Sequence, residues 1–241
     1  MKKSNAMTLA EVLITLGVIG IVSALTIPII RNIRYASYAQ AFLKTYSEIQ
    51  QAHKAVVDKY GDPSSFGFTS YYNSKDNSEN IKIANMYMDE FKTAHRCTNL
   101  DKGYDWYNNN CRPAPSTDMK FLNGKIWKGG TYEAMHNSIV LQDGRYIAIG
   151  FRENTGGGYL WGYPKMFFMI DVNGRFKKPN VIGRDIFFVE LGQTVTGEYE
   201  IRPFGKKNYD RALDIKDTCD KTKTGLSCAE NIVRDRRMNY W

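Results

Sequence analysis

The chain has 241 residues, of which 43% are hydrophobic and 24% charged, with a formal net charge of +8. That composition is globular, and it excludes both an intrinsically disordered tail and a multi-span membrane protein. The basic residues are scattered along the sequence, so the positive charge favours plain solubility over a nucleic-acid or anionic-surface partner.

The first informative stretch is 12–30, VLITLGVIGIVSALTIPII, which no charged residue interrupts. As a helix it spans about the thickness of a bilayer core. Lys2 and Lys3 precede it and Arg31 and Arg34 follow it, so flanking charge does not set its orientation. A secretory signal peptide cut after Ala24 is one reading of such a start. The apolar run continues past Ala24 to Ile30, and helical patterning continues beyond it, which weighs against that reading. So does Glu11, an acid at the edge of the run. A carboxylate there costs on the order of a few kcal/mol unless it is solvated or paired.

After Arg31 the pattern becomes amphipathic. Tyr35, Ala39, Phe42, Tyr46, Ile49, His53, Val56 and Tyr60 recur at steps of four and three, which places them on one helix face. Gly61, Asp62 and Pro63 end the helix. One helix from about Thr8 to Tyr60 would be about 80 Å long. His53 reads as a partly buried core histidine with no ligand role.

Residues 62–135 are irregular and rich in Tyr, Asn, Ser and Gly, with a short helix expected at about 80–94. From Ser138 the pattern turns to strands. Ile139–Leu141 and Tyr146–Ile149 flank the hairpin signal Asp143-Gly144, and 166–172, 186–191 and 198–202 are further strand candidates. A sheet of four or five antiparallel strands after a long helix is an α+β plan. A short basic helix is expected at about 229–237.

The four cysteines, Cys97, Cys111, Cys219 and Cys228, form two close pairs in sequence, neither with zinc-knuckle spacing. Close spacing predicts Cys97–Cys111 and Cys219–Cys228 disulfides, hence an oxidising compartment. No nucleophile elbow, P-loop or His-Glu-x-x-His is present, and Gly156-Gly157-Gly158 lacks the Lys-Ser/Thr of a phosphate loop. The chain does not read as an enzyme.

The segment Ala6-Met7-Thr8-Leu9-Ala10-Glu11-Val12-Leu13-Ile14 resembles the processing site of type IV pilins and type II secretion pseudopilins. The resemblance implies that prepilin peptidase cuts between Ala6 and Met7 and that the new Met7 amine is N-methylated. Members of the family usually carry glycine before the cut and phenylalanine after it, where this chain has alanine and methionine. Glu11 then becomes the fifth mature residue, where the family places its glutamate, and Gly17, Gly20 and Pro28 fall where the family's helix is loosened. The implied organisation is a leader (1–6), a transmembrane and assembly helix (7–30), its amphipathic continuation (31–61), a variable region (62–135), an antiparallel sheet (136–205) and a disulfide loop with a short helix (206–241).

The implied function is that of a structural subunit in a secretion pseudopilus or type IV pilus. Its partners would be prepilin peptidase, copies of itself and other pilin-like subunits, and an inner-membrane assembly platform. It would reside as a single-pass protein in the bacterial cytoplasmic membrane, with its head outside, before entering an extracytoplasmic filament. The alternatives are a minor pilin that binds DNA or a surface through its head, and a secreted enzyme behind a signal peptide. Finally, Asp171-Val172-Asn173-Gly174 followed by Asp185 resembles a loop in some pseudopilin-like heads. Oxygen donors at Asp171, Asn173 and Asp185 could bind calcium, although a plain Asn-Gly turn is the favoured reading.

Overall fold

The computed structural model describes residues 8–67, 78–97, 119–127, 137–151, 166–174, 177–194, 196–205 and 218–240. The architecture is α+β. A long N-terminal helix, α1 (Leu9–Tyr60), is followed by α2 (Ser78–Met88), six strands and a C-terminal helix, α3 (Cys228–Asp235). The strands are β1 (Thr93–Cys97), β2 (Asn137–Leu141), β3 (Tyr146–Phe151), β4 (Met166–Asp171), β5 (Ile186–Gln193) and β6 (Tyr199–Pro203). They form one sheet in the order β1-β2-β3-β4-β5-β6, and every neighbouring pair is antiparallel.

The chain divides into two units, Met1–Ser37 and Tyr38–Trp241. The first is helical over its described residues. From Leu9 to Ile33 its large apolar side chains are exposed, Leu13, Ile14, Leu16, Ile19 and Ile21 each by more than half, whereas Tyr35 is buried. The helix is long and apolar enough to cross a membrane. Pro28 sits inside it and leaves one backbone carbonyl without its helical donor. Two threonines hide their hydroxyls within the same segment. Thr15 Oγ1 donates to the Val12 carbonyl at 2.9 Å and Thr26 Oγ1 to the Val22 carbonyl at 2.6 Å.

In the second unit, α1 from Tyr38 onward packs on the sheet. Ala39, Phe42, Ile49, Ala52 and Val56 are buried at helical spacing, and Tyr46 and His53 are partly buried between them. The stripe ends before Tyr60, which is exposed. Phe42 packs against Phe187 with tilted rings whose centroids lie 4.8 Å apart, and the Tyr46 hydroxyl donates to the Ile201 carbonyl at 3.1 Å. His53 Nε2 donates to the Tyr199 carbonyl (3.2 Å), which leaves Nδ1 to accept from the Tyr87 hydroxyl (2.9 Å). It is the core histidine expected from its position on the stripe.

Both faces of the sheet are covered. Ile147, Ile149, Phe168, Ile170, Phe187, Val189 and Leu191 join α1, α2 and α3 in one core. The alternate residues Tyr146, Ala148, Phe167, Met169, Ile186 and Phe188 pack on the other face with Met119, Trp127, Ile182 and Leu226. Residues destined for two cores alternate along each strand, so the central strands read as nearly continuous apolar runs.

Strands β2 to β6 fall where the alternation predicts them. The sheet nevertheless has six strands rather than four or five. The additional one, β1, is an edge strand with the polar sequence Thr93-Ala94-His95-Arg96-Cys97, and a register irregularity lies between Thr93 and His95. Helix α2 ends at Met88, six residues before the expected limit, because Asp89-Glu90 turn the chain into that strand.

A disulfide joins Cys219 to Cys228, and both cysteines are buried against the α3 side of the core. Cys97 lies at the end of β1, while Cys111, and with it the proposed Cys97–Cys111 bridge, lies outside the described residues. Closing a loop of this length stabilises a fold by about 2–3 kcal/mol. The double replacement Cys219→Ser with Cys228→Ser should therefore lower the unfolding free energy by that amount in a urea titration. Non-reducing peptide mapping should recover the Cys219–Cys228 peptide; free thiols at these positions would contradict the pairing.

Candidate functional site

Among the polar clusters of the described chain, two hold residues singled out in the sequence: the first turn of α1 and the loop between β4 and β5.

At the first turn, Thr8 and Glu11 bond reciprocally. The Thr8 backbone N–H donates to Glu11 Oε2 at 2.7 Å and its hydroxyl donates to the same oxygen at 2.9 Å, while the Glu11 N–H donates to Thr8 Oγ1 at 3.3 Å. This is a capping box, Thr-x-x-Glu, which satisfies donors that a helix start leaves unpaired. Its signature, Thr8-Leu9-Ala10-Glu11, stands in the sequence. A carboxylate at a helix N-terminus also opposes the positive end of the helix dipole. Glu11 thus has a local partner within its own chain, and its carboxylate is held at the very start of the apolar segment. Ala6 and Met7 lie outside the described residues. Gly17 and Gly20 lie mid-helix with open space where a side chain would be, so each lowers local helix stability by up to about 1 kcal/mol relative to alanine.

At the β4–β5 loop, Asp171, Asn173 and Asp185 come together as the sequence suggested. Asp171 Oδ1 accepts the backbone N–H groups of Asn173 (3.2 Å) and Gly174 (3.0 Å). Asp185 Oδ1 accepts from the Val181 N–H (2.7 Å), and its Oδ2 accepts from the Asn180 N–H (2.8 Å). The Asn173 amide N–H groups face three oxygens: the Tyr38 hydroxyl (3.3 Å), the Lys178 carbonyl (3.2 Å) and Asp185 Oδ2 (3.1 Å). Reversing the amide would set its oxygen against a carbonyl and a carboxylate, so the donor orientation is the favoured one.

Asn173 places an N–H donor, not an oxygen ligand, where its neighbours' oxygens converge. Among the described residues, no group of three or more His, Cys, Asp or Glu gathers as a metal site would. With this amide orientation Asn173 spends its N–H groups on oxygens that calcium would otherwise take as ligands. The cluster is a hydrogen-bonded loop closure.

Burial pushes the Asp171 carboxyl up to about 8, aided by the nearby Asp185 charge and opposed by the two backbone N–H groups. Burial likewise raises Asp185 to about 6, against the pull of the Val181 and Asn180 N–H groups. In the unfolded chain both titrate near 4. The folded state therefore retains protons that the unfolded state has released, and its stability falls as pH rises from about 4 towards about 8. His53 acts oppositely. Burial lowers its pKa, so its contribution is complete above about 6.5 and is lost as pH falls below that. The Asp171→Asn variant should keep the two backbone bonds through its amide oxygen. The thermal midpoint of this variant should drop less between pH 5 and pH 8 than that of the parent; equal slopes would place Asp171 outside the linkage.

Compared with family models, curated proteins and solved structures, the chain matches none. The functional reading therefore rests on the residues themselves.

Proposed function

We propose that the chain is a pilin-like structural subunit, cut between Ala6 and Met7 and assembled through its N-terminal helix into the filament of a secretion or pilus system. One observation carries this reading. Between Leu9 and Ile30 the first unit is an exposed apolar helix that opens on a capped carboxylate. An apolar surface of that extent needs a membrane or a bundle of like helices to cover it. A carboxylate fixed at its start gives a bundle a polar contact with which to set register. A cut before Met7 would create an amine one residue before Thr8 in the sequence. The bent or loosened geometry encouraged by Gly17, Gly20 and Pro28 suits a helix that moves from lipid into a protein bundle. A secreted enzyme with a signal cut after Ala24 would discard this capped carboxylate and most of the apolar run.

Mass spectrometry of the mature protein, isolated from cells carrying prepilin peptidase, tests the proposal. The expected N-terminus is Met7, bearing one added methyl group. A mature chain beginning at Leu25 would overturn it.

A further inference from the structure

Where α1 passes the β2–β3 turn, the head holds a cleft of about 610 Å³. Three elements line it: α1 between positions 44 and 55, the turn at 90–92 that joins α2 to β1, and the β2–β3 turn at 141–145. Ala52 and Ala55 lie three residues apart on α1 and so are neighbours on the helix surface. Their side chains end at Cβ, which leaves the flank of the helix open there. Phe91 and Leu141 add apolar surface to the same hollow.

The charges that α1 and the β2–β3 turn bring to the cleft are already matched. The Arg145 side chain is only 6% exposed and two carboxylates hold it: Nη1 lies 2.8 Å from Glu48 Oε2 and Nη2 lies 2.7 Å from Asp143 Oδ2. Nη1 also donates to the Thr45 hydroxyl, and Lys44 Nζ donates to Asp143 Oδ2 at 2.8 Å. Two cations meet two acids, so this part of the lining carries no net charge. The 90–92 turn differs. Arg96 engages Asp89, but among the described residues the exposed side chains of Glu90 and Lys92 have no hydrogen-bond or ion-pair partner. Lys59 reaches Glu90 through its field alone, its ammonium resting 5.0 Å above the Tyr60 ring.

We propose that this cleft binds a short peptide with free termini, its ammonium taken by Glu90 and its carboxylate by Lys92. The lining leaves over one charge of each sign, and a zwitterion uses both. An anion would gain Lys92 but face Glu90, a cation would meet the converse, and a neutral ligand would use neither charge. The volume falls within the range of about 300–1,000 Å³ that small-ligand sites occupy, which leaves room for more than one residue between the two ends. Phe91, Leu141 and the two alanines supply the apolar surface that the body of a peptide covers. The ion network around Arg145 ties α1 to the β2–β3 turn and so fixes two sides of the cleft before a ligand arrives. The inference rests on the head alone and stands whether or not Met7 is the mature N-terminus.

Titration calorimetry of the full chain in neutral detergent with trialanine tests the site. The expected dissociation constant is about 1 mM or lower. Glu90→Gln should weaken trialanine about fivefold, yet leave N-acetyl-trialanine, which lacks the ammonium, as it binds the parent. Lys92→Gln should do the same to trialanine while leaving trialanine amide, which lacks the carboxylate, unchanged. Glu79→Gln with Lys82→Gln removes the same two charges from α2 and should change the affinity by less than about twofold. Ala55→Trp, which fills the cleft from the α1 side, should abolish binding. Three results would overturn the proposal: no binding heat at about 10 mM trialanine, equal affinity for trialanine blocked at both ends, or undiminished binding by a folded Ala55→Trp variant.

Discussion

Replacing Glu11 with alanine should give a protein that is cut and membrane-resident but absent from filaments. Under the proposed function, the carboxylate meets a neighbouring subunit's Met7 amine as helices pack. Truncating one partner of a desolvated charge pair costs about 3–5 kcal/mol, and a loss of that size at every added subunit would stop growth. Removing a charge eases insertion, so the membrane fraction should be unchanged. The capping box supplies the control. Glutamine at position 11 can still bond back to the Thr8 N–H, as glutamine does in such boxes, yet carries no charge. Glu11→Gln should therefore fail like Glu11→Ala if the charge is what matters. If Glu11→Gln fills the sheared-filament fraction normally while Glu11→Ala does not, the role of Glu11 is to hold the first turn, and the intersubunit pairing is wrong.

A comparable loss, this time of head stability, is expected on replacing Arg202 with methionine. Arg202 and Glu190 are register partners on β6 and β5, with Nε 2.6 Å from Oε1 and side chains only 8% and 3% exposed. They lie on the sheet face opposite α1, in alternation with Val189 and Leu191, which point to the helix-side core. Gly192 makes room for the guanidinium, since a Cβ there would lie 2.1 Å from it. Without Arg202 the Glu190 carboxylate is buried without its counter-charge, at a cost of about 3–5 kcal/mol. The paired change Glu190→Leu with Arg202→Met should recover most of that, because an apolar pair incurs no charge desolvation. Denaturant unfolding of the three proteins distinguishes the cases. A single variant as stable as the parent would mean that Glu190 takes up a proton at little cost.

The pattern of recovery from sequence follows from which forces act locally. Helix α1 was legible because its apolar positions repeat with helical spacing and Gly61-Asp62-Pro63 stop it. Strands β2 to β6 were legible because apolar runs and turn residues mark them. Strand β1 was not, since an edge strand with one solvated flank needs no apolar run, and its pairing with β2 is a non-local contact. At the N-terminus, Glu11 was singled out for its charge, but its bond to Thr8 was overlooked although the Thr-x-x-Glu spacing encodes it. In the β4–β5 loop the right residues were grouped, while the role of Asn173 depended on which way its amide turned, and that is set by Tyr38 and Lys178, residues outside the motif.

The order of the sheet bears on how the head acquires its structure. Each strand pairs with its immediate predecessor in the chain, from β1 through to β6. A meander of this kind asks for few long-range encounters between strands, and topologies rich in local pairing fold faster than those that wait for distant partners. A chain that emerges N-terminus first could thus add strands in the order in which they arrive, each new strand covering the exposed edge of the one before it. The segment that closes the Cys219–Cys228 loop emerges last, so oxidation would seal a sheet that is already in place.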